Sequence, residues 1–256
     1  MLNDKIAIVT GAGSGLGEAI SVLFAKNGAT VVLADVDVEG AERVLREIEQ
    51  GGGKGRVVKT DVSKPDDARA LVDIAVKEFG RLDIAVNNAG IGGPTAPVGE
   101  YPIDGWDRII GINLSGVFYG MRHQIPAMLA SGGGAIVNMA SVAGKVGLAN
   151  ASGYTAAKHG VVGLTETAAV EYAARGIRVN AVGPGFINTP LIGKRAVMDT
   201  EAASAGDETQ ALAALHPMNR LGEASEVAEL VLFLASERAS FVTGGYYNDD
   251  GGYLAQ

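Results

Sequence analysis

Tyr154 and Lys158 stand four residues apart, and Ser141 lies thirteen residues before the tyrosine, at the end of an apolar run. Residues at i and i+4 share one helix face, so the ammonium can lie beside the phenol. A phenol titrates near ~10 and must lose about three units to exchange protons at neutral pH, about 4 kcal/mol at ~1.36 kcal/mol per unit. One cation at ~4 Å, in an effective dielectric of ~20, supplies about that much. The spacing therefore suits an acid/base that protonates an alkoxide. Taken alone, the same pair also suits an ordinary helix surface.

Side chains that do such chemistry need rigid elements beneath them. Short β-branched runs alternate here with helical periodicity. Strands are expected at Lys5–Thr10, Thr30–Asp35, Arg56–Lys59, Leu82–Asn87, Gly134–Met139, Ile177–Val182 and Gly245–Asn248. Helices are expected at Gly15–Asn27, Val38–Gln50, Pro65–Phe79, Ile103–Ala130, Tyr154–Ala174 and Ala224–Ala235. Helices between buried strands imply crossover connections, hence an α/β doubly wound parallel sheet of Rossmann type, covered on both faces. No linker divides residues 1–256, so one domain is expected, and the strand-free excursion Thr189–Pro217 reads as a lid over the site.

Composition narrows the partners. The chain has 21 Lys and Arg against 29 Asp and Glu, a net charge of -8, with no basic cluster. Such a chain binds phosphate backbones poorly, which argues against nucleic acid. There is no cysteine, so disulfides and thiolate metal sites are ruled out. No apolar stretch approaches bilayer length and the N-terminus leads straight into a strand, so a cytoplasmic protein without membrane contact is expected. The three histidines, His123, His159 and His216, have no metal-ligand spacing, and no Gly-x-Ser-x-Gly elbow supports a hydrolase triad.

The first strand runs into a loop carrying Gly11, Ser14, Gly15, Leu16 and Gly17, which then opens a helix. Glycines let the backbone approach a pyrophosphate, and a helix N-terminus presents free amides to it; a plain tight turn is the alternative. Asp35 ends the second strand, 18 residues past Gly17. A carboxylate there accepts hydrogen bonds from the adenosine ribose, and it repels a 2′-phosphate by about 4 kcal/mol at ~4 Å. Val36 follows and Ser14 precedes the second glycine, so no Arg or Lys is expected to compensate. NAD is therefore expected over NADP.

Together these residues resemble the short-chain dehydrogenase/reductase family over essentially the whole chain. Asn113, Ser141, Tyr154 and Lys158 match its catalytic tetrad, and the Thr10–Gly17 loop looks like its cofactor loop. The resemblance implies that Asp61 and Val62 contact adenine and that Asn88, Ala89 and Gly90 line the cofactor, with Asn87 structural. It implies that Pro184, Gly185, Ile187 and Thr189 fix the nicotinamide carboxamide. It assigns Tyr154 the proton, Ser141 the substrate oxygen, and Lys158 both the tyrosine pKa and the nicotinamide ribose. Asn113 would kink the long helix and hold a water that links Lys158 to solvent.

One departure from the family lies at the end, where Asn248 and Asp249 stand in place of common apolar residues. They are expected to find partners across a subunit contact, since relatives often form homotetramers through this region. The final residues resemble relatives whose terminal carboxylate helps to bind Mg²⁺. A pocket around Gly92–Ala96, Val142, Val146, Leu148, Phe186, Leu191 and Met198 is mostly apolar, without an evident Arg. The expected activity is NAD-dependent interconversion of a neutral, cyclic, aliphatic or steroid-like secondary alcohol and its ketone. The alternatives are a 3-oxoacyl reductase of fatty-acid type and a non-catalytic NAD-binding regulator.

Overall fold

The five residues of strand β1 (Ile6–Thr10) are all buried, as a continuous apolar run must be when both faces of a sheet are covered. Around it a computed structural model, describing residues 1–191 and 205–256, builds a seven-stranded parallel sheet. The other strands are β2 (Thr30–Asp35), β3 (Lys54–Lys59), β4 (Ile84–Asn87), β5 (Gly134–Met139), β6 (Ile177–Pro184) and, last in the sheet, β9 (Tyr246–Asp249). Their order is β3-β2-β1-β4-β5-β6-β9. The order reverses between β1 and β4, which opens a crevice at the strands' carboxyl ends.

Two cores hold the layers together. On one face, helices α1 (Gly15–Lys26) and α2 (Val38–Gln50) pack with helix Ala224–Ala235 through Ile20, Phe24, Val44 and Val231. On the other, α3 (Pro65–Phe79), α5 (Gly116–Ala130) and α6 (Ser152–Tyr172) bury Leu71, Met121, Ile125 and Val161. This is the expected single doubly wound domain.

Three local differences matter for the site. The helix expected over Ile103–Ala130 is interrupted where the kink at Asn113 was implied: α4 (Ile103–Ile110) passes through a π-turn at Gly111–Ser115 into α5. Asn113 sits fully buried in that turn, its Oδ1 accepting from Ile91 N at 2.9 Å and its Nδ2 donating to Ile91 O at 2.8 Å. Such bulges form where a side chain outcompetes the i→i−4 ladder. Second, two short strands absent from the sequence reading, β7 (Ile187–Asn188) and β8 (Gly222–Glu223), pair in parallel and clasp the ends of the excursion. Of the expected lid, residues 192–204 lie outside the described residues; helix Ala205–Ala214 follows. Third, β9 begins at Tyr246 rather than Gly245, and Asn248 is exposed while Asp249 is half-buried.

Candidate active site

The glycine loop is shaped by what it must clear. A Cβ on Gly11 would lie 2.9 Å from Ala89 Cα, and one on Gly17 would collide with Gly11 O. Both positions therefore require glycine, and the loop folds flat against the end of β4. Asn88 stitches it there, donating from Nδ2 to Thr10 O at 2.8 Å, while Thr10 Oγ1 accepts from the Asn88 and Ala89 amides. A backbone this bare at a helix N-terminus is a cradle for a diphosphate.

Asp35 is held ready beside it. Its Oδ2 accepts from Gly13 N at 2.8 Å and its Oδ1 from Asp37 N at 2.9 Å, so the carboxylate is fixed at the cavity rim. Arg43, from α2, also approaches the loop, donating to Gly13 O at 3.2 Å. Its guanidinium is, however, forked onto both oxygens of Glu18 at 2.7 and 2.6 Å, which neutralises it locally. Farther along, Asp61 Oδ1 accepts from Ser63 Oγ at 2.6 Å, and this bond leads the causes holding its carboxyl below the ordinary range.

The chemical residues converge at the other end. β5 ends at Met139, and Ser141 stands two residues on, extended and buried, before a 3₁₀ turn at Val142–Gly144. Its Oγ accepts from Ala143 N at 3.2 Å, which leaves the hydroxyl hydrogen free to donate outward. Lys158 is buried on α6, and its Nζ donates to Met139 O at 2.7 Å. Burial pushes its pKa down to about 8. The same Nζ lies 5.6 Å from the centre of the Tyr154 ring.

One cavity of about 730 Å³ joins these groups. Its wall includes Asp35, Asp61, Val62, Asn88, Ala89, Gly90, Ser141, Tyr154 and Lys158, together with Pro184, Gly185, Ile187 and Thr189. Gly11, Ser14, Gly15 and Leu16 also line it; Gly17 and Asn113 stand behind, as supports. Asn87 is bound instead to Gln124 and Asn138 in a buried amide network, as a structural residue. Of the expected substrate pocket, Gly92, Val142, Leu148, Phe186 and Leu191 line the cavity. Residues 93–96 and Val146 do not, and Met198 lies outside the described residues. The expectation of a wall without Arg is also corrected: Asp107 and Arg108, at the end of α4, both contribute.

A dinucleotide cradle at one end of a cleft and a Ser, Tyr and Lys at the other define a nicotinamide-dependent oxidoreductase. The comparisons agree. A family profile described as "Enoyl-(Acyl carrier protein) reductase" matches residues 11–254. Cyclohexanol dehydrogenase of Acinetobacter sp. (strain SE19) is 49% identical over 254 residues, covering 99% of this chain and 96% of that protein. Cis-4-hydroxycyclohexanecarboxylate dehydrogenase of Sinomonas cyclohexanicum is 48% identical, covering 98% and 97%. The crystal structure of levodione reductase superposes with a TM-score of 0.96 at 39% identity, covering 100% of this chain and 99% of that one. The chain belongs to the short-chain dehydrogenase/reductase family. It is an oxidoreductase of the alcohol dehydrogenase type, acting between a secondary alcohol and a ketone.

Sequence reasoning missed Arg43, Glu18, Asp107, Arg108 and Ile91. The first two face each other from α1 and α2, 25 residues apart, so no local spacing announces them. The next two stand on the last turn before the kink implied at Asn113, and that position was the signal for them.

Proposed function

We propose that this chain is an NAD-dependent dehydrogenase that interconverts a small cyclic secondary alcohol and its ketone, with Asn113, Ser141, Tyr154 and Lys158 as its catalytic set. The observation that carries this is the single cavity with Asp35 at one end and Ser141, Tyr154 and Lys158 at the other. The names of the two dehydrogenase relatives favour a six-membered ring, and Val142, Leu148, Phe186 and Leu191 offer it an apolar wall.

A nicotinamide cofactor, when bound, supplies the hydride acceptor for oxidation and the hydride donor for reduction. Tyr154 removes the alcohol proton in oxidation and returns it to the carbonyl oxygen in reduction. Ser141 donates its free hydroxyl hydrogen to that oxygen and stabilises the alkoxide as it forms. Lys158, 5.6 Å from the ring centre, contributes about 3 kcal/mol to the phenolate in an effective dielectric of ~20, roughly two of the three units required. Asn113 holds Ile91 against the π-turn. Its side chain is committed there, so a water link to Lys158 falls to main-chain carbonyls loosened by that turn. Asp35, fixed by two amides and with Arg43 occupied by Glu18, supports NAD over NADP.

The segment 189–217 suits a substrate cover, since Thr189, Pro190 and Leu191 already line the cavity. Exposed Phe118 on α5 and Val170 on α6 support a homotetramer, and the cytoplasm is the compartment that suits an enzyme drawing on NAD. A terminal Mg²⁺ belongs to the same tetramer reading. Among the described residues one chain offers no group of three His, Cys, Asp or Glu side chains for a metal, so its ligands would converge from several subunits. No described helix is long and apolar enough to cross a membrane.

The test is NAD⁺ reduction across a panel of secondary alcohols, followed by NADH absorbance, with NADP⁺ in parallel and 4-hydroxycyclohexanecarboxylate as the charged member. Fastest turnover is expected for neutral cyclic alcohols with NAD⁺. No turnover with any alcohol and either cofactor overturns the reading.

A further inference from the structure

The Ser141 side chain is aimed by its own backbone, and that backbone is held from an unexpected direction. The Ser141 carbonyl accepts two hydrogen bonds. One is local, from Gly144 N at 2.7 Å, and closes the 3₁₀ turn. The other comes 105 residues later, from the Tyr246 hydroxyl at 2.7 Å. That separation is the usual optimum for an O–H donor.

Several features fit Tyr246 to this one contact. Its backbone stands opposite Ala181 on β6, and its ring runs along the sheet over Gly183. A Cβ on Gly183 would collide with the tyrosine hydroxyl, so the slot exists only because that residue is glycine. Lys145, just past the turn, caps the ring with Nζ 4.9 Å from its centre. Burial, then the charges of Asp250 and Tyr154, push the Tyr246 pKa up, which keeps its hydroxyl a donor across the working pH range.

We propose that Tyr246 is a positioning residue for the reaction: its hydroxyl fixes the Ser141–Val142 peptide so that Ser141 Oγ points at the substrate oxygen. The inference rests on the catalytic reading of Ser141 given above. Strand β9, whose sequence carries none of the family's catalytic motif, thus reaches the reacting centre through one phenol.

The experiment is a double-mutant cycle of Tyr246→Phe and Ser141→Ala on the full chain, reading kcat, KM for the alcohol, NADH affinity and Tm. The phenylalanine keeps the ring in its slot and removes only the donor. Tyr246→Phe is expected to lower kcat about 10-fold, as small misplacements of a reacting group do, with KM and NADH affinity changed less than about 2-fold. In the Ser141→Ala background the same change should cost less than about 2-fold, since coupled residues are non-additive. An unchanged kcat in Tyr246→Phe overturns the proposal. So does an equal loss in both backgrounds, which would mean that the phenol acts elsewhere. If Ser141→Ala itself leaves kcat intact, the catalytic reading of Ser141 fails first, and that outcome is separate from the other two.

Discussion

Replacing Lys158 by methionine should stop turnover and yet stabilise the cofactor-free protein at neutral pH. Burial brings the lysine from an ordinary 10.5 down to about 8. At ~1.36 kcal/mol per unit, keeping that charge folded costs about 3 kcal/mol at pH 7. The methionine escapes this cost but leaves Met139 O without its charged donor, a loss of ~1.5 to 3 kcal/mol. The net gain is about 1 kcal/mol, or about 2 to 4 °C in Tm for a chain of this size. Below pH 8 both folded and unfolded wild-type chains hold the proton, and the folded state bears the full cost. Between about 8 and 10.5 the folded chain has released it while the unfolded chain still binds it, so wild-type stability climbs with pH. The variant's advantage should therefore fall by about 2 to 3 kcal/mol between pH 7 and pH 10 and change sign. Urea unfolding of both proteins at the two pH values measures this. A stability difference that stays flat across that interval refutes the reasoning, because the lysine would then titrate alike folded and unfolded.

Three further outcomes are expected. Tyr154→Phe should lower kcat by about 10²- to 10⁴-fold, the usual worth of a general acid/base, with NADH binding retained by fluorescence titration. Asp35→Ser should raise the ratio of kcat/KM for NADP⁺ over NAD⁺ by at least about 10-fold, since a like charge at the 2′-phosphate is removed; a wild-type enzyme already faster with NADP⁺ would sink the assignment. EDTA should abolish activity reversibly with Mg²⁺ if the terminal carboxylates gather a metal in a tetramer, and indifference to EDTA would discard that part of the reading.

The sequence was most legible where local chemistry decides structure. Continuous apolar runs named β2 and β5 to the residue, and α2 and α3 began and ended where Asp37, Pro65 and Gly80 bound them. β3 was read two residues short because it is an edge strand, and Lys54 and Gly55 carry no apolar signal. The resemblance implied a kink at Asn113 but not its form, because Gly-Ile-Asn-Leu-Ser suits an ordinary helix and Ile91, which pulls Asn113 out of register, lies 22 residues away. The Tyr154–Lys158 pair and the glycine loop could be read because each is carried by a short stretch of one element, whereas Asn113 and Ser141 came from the family resemblance. The Arg43–Glu18 fork and the Tyr246–Ser141 bond could not, since each depends on two elements meeting only after the sheet has formed.

The reversal of strand order between β1 and β4 divides the labour of the molecule. Asp35 and Asp61 hang from β2 and β3 on one side; Ser141 follows β5 on the other, and Tyr154 and Lys158 stand on α6, packed against β6 there. In the function proposed above, cofactor choice and substrate choice are thus written on separate halves of the sheet, stitched by the Asn88 amide at the seam. Changes that retune one half can accumulate without disturbing the other, so a lineage built on this frame can exchange its alcohol while keeping its nucleotide.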